Sequence, residues 1–167
     1  MYQVGDQVLY GIHGVCRIAG LEQRIIDRKR VEYFILEPVN QVEARFYVPT
    51  GNPAALSKLR KVLNREELDR LLCSAEACQD CWIPDDNQRR NRYRELISSG
   101  DRAALLAMVG TLYRHKEEQA AAGRKFYLCD ENFLRDAQKL LESEFSLVLG
   151  IEPAQVGPYV LQKLNIE

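Results

Sequence analysis

The sequence predicts an α+β protein of two domains: a small β-barrel at residues 1–63 and an all-helical bundle at 64–167. Three observations predict it. Residues 1–63 are short β-branched and aromatic runs broken by turn residues, whereas from Asn64 the apolar residues recur at helical spacing. The charge changes sign at the same place: nine basic and six acidic side chains leave residues 1–63 at +3, while 14 and 18 leave the rest at −4. At 167 residues, 46% hydrophobic and 28% charged, the chain is long enough for two small cores.

The strand candidates in order are 7–10 (Q-V-L-Y), 15–26 (V-C-R-I-A-G-L-E-Q-R-I-I), 31–36 (V-E-Y-F-I-L) and 44–48 (A-R-F-Y-V). Between them stand the turn runs G-I-H-G, D-R-K-R, P-V-N-Q and P-T-G-N-P. Strands this short bury little as a flat sheet, so a curled barrel is the economical form. Asn64 with Glu67 resembles a capping box opening a helix to about Leu72. Asp85 or Asp86 opens a second helix to about Ser98, and S-S-G-D ends it. A long helix follows with Leu105, Leu106, Val109, Leu112 and Tyr113 on one face, stopped near Gly123. Asp130 is read as the cap of the next helix, and Pro153 as the first turn of a last short one.

Several function classes fall away. A net charge of −1 argues against a polyanion binder working by bulk charge. No apolar run approaches the ~18 residues of a membrane span, and M-Y-Q-V-G-D lacks the features of a secretory leader. A cytoplasmic monomer without membrane contact is therefore expected. Enzymatic chemistry has little support: there are two histidines, and none of the common nucleophile, zinc or phosphate-loop motifs occurs. His13 reads as a turn residue bonding the barrel backbone. No cofactor is expected. Cys73-x4-Cys78-x2-Cys81, with a distant Cys129, matches part of an iron–sulfur spacing and half a zinc knuckle, but the second close pair is missing. Five cysteines, an odd number, read as free thiols, with a metal- or redox-responsive module as the alternative.

The most informative cluster is Q-R-R-N-R-Y-R at 88–94. At 100° per residue from Tyr93, Arg89 and Arg90 lie at −40° and +60°, on the apolar stripe one turn earlier, with Arg92 and Arg94 on its flanks. Such arginines either bury their stems and pair with Asp85, Asp86 or Glu95, or face an external phosphate. Trp82, the single tryptophan, precedes them in W-I-P-D-D. It reads either as a core anchor or as an apolar wedge against DNA. K-L-R-K at 58–61 and D-R-K-R at 27–30 add two short basic stretches.

The N-terminal run Y-Q-V-G-D-Q-V-L-Y-G-I-H-G-V-C-R-I, with E-Y-F-I-L and R-F-Y-V-P after it, resembles the RNA-polymerase-interacting domain of the CarD/CdnL family. That domain is shared with the transcription-repair coupling factor. The marks are Gly5-Asp6, Tyr10, His13-Gly14 and Tyr47-Val48-Pro49. The R-R…S-G-D stretch and the two helices after it resemble the family's DNA-binding domain. The resemblance implies a Tudor-like barrel that docks on the RNA polymerase β subunit, and contact with promoter DNA at the upstream edge of the bubble, stabilising the open complex. It places polymerase contacts at Arg24 and Ile26, and at Tyr47 and Val48, with Tyr47 standing where the family has an arginine. Counting back from Gly100 places a DNA-contacting arginine on Arg89, beside Arg90 and Arg92. Ungapped counting puts the family's wedge tryptophan at Asp86, four residues beyond Trp82. A protein–protein adaptor without DNA contact is the alternative. Tethering to polymerase would dispense with a strongly positive net charge.

Overall fold

A computed structural model describes residues 1–165. The chain divides into two units, Met1–Val62 and the remainder from Leu63.

The first unit is a five-stranded antiparallel sheet of β1 (Gln7–Tyr10), β2 (Val15–Ile26), β3 (Lys29–Pro38), β4 (Phe46–Pro49) and β5 (Leu59–Lys61), in the order β4-β3-β2-β1-β5. β2 and β3 form a long hairpin turned by Asp27 and Arg28, both left-handed at φ 51° and 62°. A two-residue turn of this hand matches the twist of the flanking strands. A register shift between Ile18 and Gly20 exchanges the faces of β2. Before it Cys16 and Ile18 point into the core; after it Glu22, Arg24 and Ile26 form the outer row.

The core gathers Val8, Cys16, Ile18, Phe34, Leu36, Val48 and Leu59. A short helix, α1 (Pro53–Leu56), is capped by the Asn52 side chain, which accepts from the Ala54 and Ala55 N–H groups at 3.0 and 3.2 Å. Ala55 and Leu56 pack on the same core. The expected small β unit is a single five-stranded sheet with β4 and β5 at its two ends, and the stretch between them in the chain carries α1. β5 was not expected as a strand. His13 makes ring contacts instead of serving as a backbone anchor, at 4.1 Å from Phe46 and 5.4 Å from Tyr10.

The second unit is helical: α2 (Arg65–Leu72), α3 (Asp86–Ser99), α4 (Arg102–Ala121), α5 (Leu128–Leu149) and α6 (Pro153–Lys163). Local signals set most of the ends. Asn64 and Glu67 form a reciprocal capping box, Asp85 accepts from Gln88 N–H, and Asp101 accepts from Ala104 N–H. Gly100 and Gly150 end α3 and α5 in the left-handed conformation, which glycine adopts without a Cβ penalty.

α4 departs from the expected one-sided stripe. Every residue from Leu105 to Leu112 is buried, as befits a helix surrounded by others. Around it pack Leu68, Leu72, Tyr93, Leu134, Phe145, Val156 and Val160. Near its start Arg102 donates twice to the buried Glu144 of α5, each time at 2.8 Å. Glu144 also accepts from the Leu63 N–H at 2.8 Å, fixing the first residue of this unit to α5. Among the described residues no helix is long and apolar enough to cross a membrane.

Candidate functional site

The sheet presents one exposed face away from its core. Strand alternation and register place Glu22, Arg24 and Ile26 of β2 beside Tyr33 and Ile35 of β3 and Tyr47 of β4. The Arg24 guanidinium lies 4.2 Å from the Tyr47 ring centre and 5.9 Å from that of Tyr33, and it donates to Glu22 at 2.6 Å. The Glu22 hydrogen bond holds the Arg24 pKa above its ordinary value. The Arg24 side chain remains 45% exposed and Ile26 stands clear of the core. Of the four residues expected on this surface, Arg24, Ile26 and Tyr47 share it. Val48 does not: it alternates to the opposite face and is 2% exposed, so only its backbone on edge strand β4 is available to a partner.

At the start of α3 the arginines separate. Arg90 and Arg92 are exposed; Arg90 reaches Asn87 and Arg92 reaches Glu95. Arg89 is 3% exposed, and its partners take up every N–H of its guanidinium. Nε and Nη2 donate to the two oxygens of Asp130 at 2.9 Å, and Nη2 also donates to Asp86 at 2.8 Å. Nη1 donates to the carbonyls of Ile83 and Pro84 at 2.9 and 3.5 Å. Burial opposes its charge, but the hydrogen bonds it donates to Asp130 and Asp86 outweigh that and raise the Arg89 pKa. In this conformation Arg89 has no donor left for a phosphate. Asp130, expected as a helix cap, lies inside the first turn of α5, fully buried as the partner of Arg89; α5 begins two residues earlier.

Trp82 lies between a core and a surface role. It is part-buried, with the Arg89 guanidinium 4.3 Å from its ring and the His115 ring stacked at 3.7 Å and 22°. Its loop is tied down on both sides. The Trp82 N–H donates to Asp80, the Cys81 N–H donates to the Thr111 hydroxyl, and the buried Tyr93 hydroxyl donates to the Cys81 carbonyl.

Two chemically different neighbourhoods border the indole. One is a groove of about 500 Å³ lined in part by Tyr93, Leu96, Ala104, Asp80, Asp101 and Arg92. The other runs through His115 to Phe126, 6.3 Å away, with the Lys116 ammonium 6.0 Å from the Phe126 ring. Arg124 and Lys125 are exposed in the same α4–α5 segment, next to exposed Tyr127. Sequence reading missed Lys116, Arg124 and Lys125; the run G-R-K-F-Y at 123–127, basic and aromatic together, was the available signal.

The cysteines do not converge. Cys73 and Cys78 are exposed, Cys81 and Cys129 are part-buried, and Cys16 is buried in the sheet. Burial pushes the Cys16 thiol up to about 11. Among the described residues no three His, Cys, Asp or Glu side chains come together as a metal site requires.

Comparison with known proteins finds two likenesses. Residues 2–63, covering the sheet and its outer face, match the model of the CarD-like/TRCF RID domain. Over 169 aligned residues the chain is 23% identical to a Bacillus subtilis (strain 168) protein named "Putative transcription factor YdeB". That alignment covers 95% of this chain and 99% of the relative, so the likeness runs through the helical unit as well. Through the sheet that carries Arg24 and Tyr47, residues 2–63 are similar to the CarD-like/TRCF RID domain.

Proposed function

We propose that this protein is a CarD-like transcription regulator that docks on the RNA polymerase β subunit through the outer face and β4 edge of its sheet. The helical unit then contacts promoter DNA at the upstream edge of the bubble. The observation that carries the reading is the Arg24–Tyr33–Tyr47 surface, exposed within the residues that match the polymerase-interacting domain. An exposed strand edge offers backbone hydrogen bonds to a partner strand, and the side chains beside it add specificity.

Docking raises the effective concentration of the helical unit at the DNA, so a net charge of −1 is no obstacle. Arg90, Arg92, Lys116, Arg124 and Lys125 supply phosphate contacts around Trp82, whose part-exposed ring rests on a base or props a base step. Contacts made only with melted DNA shift the promoter toward the open complex by differential affinity. They read no particular sequence.

The direct test is capture of purified β subunit. The wild-type chain retains it, and Arg24→Glu, which puts an anion between the two tyrosines, loses it. Failure of the wild-type protein to capture β overturns the proposal. A filter-binding assay of open-complex lifetime tests the DNA half: Lys125→Glu combined with Arg90→Glu shortens the lifetime while leaving β capture intact.

A further inference from the structure

We infer that Arg89 is a positioning residue for Trp82: with Asp130 it forms a buried strut that holds the indole and its loop in one place from within. The inference rests on the reading of Trp82 as a DNA-contacting side chain. It assigns Arg89 and Asp130 a role that phosphate binding does not require.

Three features of the geometry carry it. First, the guanidinium does two jobs on one short segment. Its central carbon lies over the Trp82 ring, 4.3 Å from the ring centre, and its Nη1 donates to the carbonyls of Ile83 and Pro84, the two residues that follow the indole. Ring and backbone are thereby fixed by one side chain. Second, Arg89 is itself anchored to a distant element. Asp130, fully buried on α5, receives two parallel N–H bonds at 2.9 Å, a fork geometry that an ammonium does not reproduce. Third, the rest of the loop is braced independently, through Thr111 to Cys81, Asp80 to Trp82, and Tyr93 to Cys81.

A tryptophan serving only as a core anchor has no use for this arrangement. Apolar packing alone would bury it, and a buried ion pair is a poor source of stability compared with apolar residues of similar volume. What the pair supplies is orientation. Trp82 remains part-exposed yet is clamped between elements, so little rotamer freedom remains for it to lose when a base or base step meets it. Arg89 thus acts through Trp82.

Because Trp82 is the single tryptophan, its fluorescence reports the strut in the free, full-length protein, before any question of DNA arises. Arg89→Lys keeps the charge and removes the planar fork. The double variant Arg89→Met with Asp130→Leu replaces the pair by apolar side chains and keeps the fold testable if the lysine variant is unstable. With helical circular dichroism retained, the expected result is red-shifted Trp82 emission and stronger iodide quenching. The seated indole population should fall by about two- to thirty-fold, the range that cation–π contacts span. Unchanged emission and quenching in a folded variant overturn the strut.

On polymerase–promoter complexes the strut predicts a shorter open-complex lifetime with an unchanged salt dependence. A fall of about one in the slope of log lifetime against log salt is the mark of a lost phosphate contact and overturns the positioning role. Trp82→Ala separates the two layers. If it leaves open-complex lifetime unchanged, the DNA role of the indole is overturned, while the fluorescence result still decides the strut.

Discussion

Two arginines of this protein make nearly the same contacts and have opposite fates. Arg24 packs on Tyr47 at 4.2 Å and pairs with Glu22 at 2.6 Å; Arg89 packs on Trp82 at 4.3 Å and pairs with Asp130 at 2.9 Å. The difference is water. Arg24 is 45% exposed, so solvent screens its pair and its plane stays available to a partner. Arg89 is 3% exposed, its donors are all engaged, and it has become part of the scaffold. An arginine on an aromatic ring is thus either open to a partner or closed into the fold, and exposure decides which.

The largest expected effect breaks the buried member. Asp130→Ala leaves the Arg89 guanidinium buried without its principal partner, and losing one member of a buried pair costs about 3–5 kcal/mol. Urea unfolding followed by circular dichroism should lose that much stability. A loss well under 1 kcal/mol would mean that Arg89 escapes to solvent and that the contrast with Arg24 is false.

The second test uses the other buried ion pair. Glu144→Ala removes the acceptor of the Leu63 N–H and of two Arg102 bonds, and hydrogen bonds to a charged group contribute about 1.5–3 kcal/mol each at most. A smaller loss than at Asp130, about 2 kcal/mol, is expected because Arg102 is 18% exposed, so solvent already reaches it. Equal losses would show that partial exposure gives no relief.

These buried pairs also mark where sequence reading stops. Asn64, Asp85 and Pro153 were legible because a cap or a first-turn proline depends only on residues within a turn of it. Asp130 was misread for the same reason: an aspartate near a helix start looks like a cap, while its partner Arg89 lies 41 residues earlier. The 100° wheel had put Arg89 on the Tyr93 stripe, but charge argued for the surface, and only the fold supplies the carboxylate that reverses that argument. β5 was hidden likewise. K-L-R-K has no strand pattern of its own and becomes one by pairing with β1, some 50 residues away. Lys116 acquires meaning only once the fold sets it by Phe126, whose ring neighbours the His115 stacked on Trp82.

A third, smaller effect lies in the core of the sheet. The Cys16 thiol is held neutral by burial, its pKa raised from 9.0 to about 11. The contribution to stability is therefore fully present below about pH 9 and is lost as pH rises toward 11, since the unfolded chain releases its proton first. Unfolding midpoints of wild type and Cys16→Ala should differ by a constant amount up to pH 9 and converge above it. At pH 8, iodoacetamide labelling read by mass spectrometry should modify exposed Cys73 and Cys78 and spare Cys16 until urea is added.

The smallest effect on stability is expected at Arg24, and under the proposed docking the sharpest on function. Its pair with Glu22 is solvated, so Arg24→Ala should leave the urea midpoint unchanged. Capture of the polymerase β subunit should respond in a graded way that charge alone does not produce. Arg24→Lys keeps the cation but replaces a plane lying on Tyr47 with a compact, strongly hydrated ammonium. It should retain β less well than wild type and better than Arg24→Glu. Tyr47→Leu, which keeps an apolar side chain under the guanidinium and removes the ring, should weaken capture to a degree similar to Arg24→Lys. Adding the second substitution to the first should then cost little more, because both remove the same contact. Capture by Arg24→Lys equal to wild type would reduce the surface to a point charge, and the resemblance between Arg24 and Arg89 would then be geometric only.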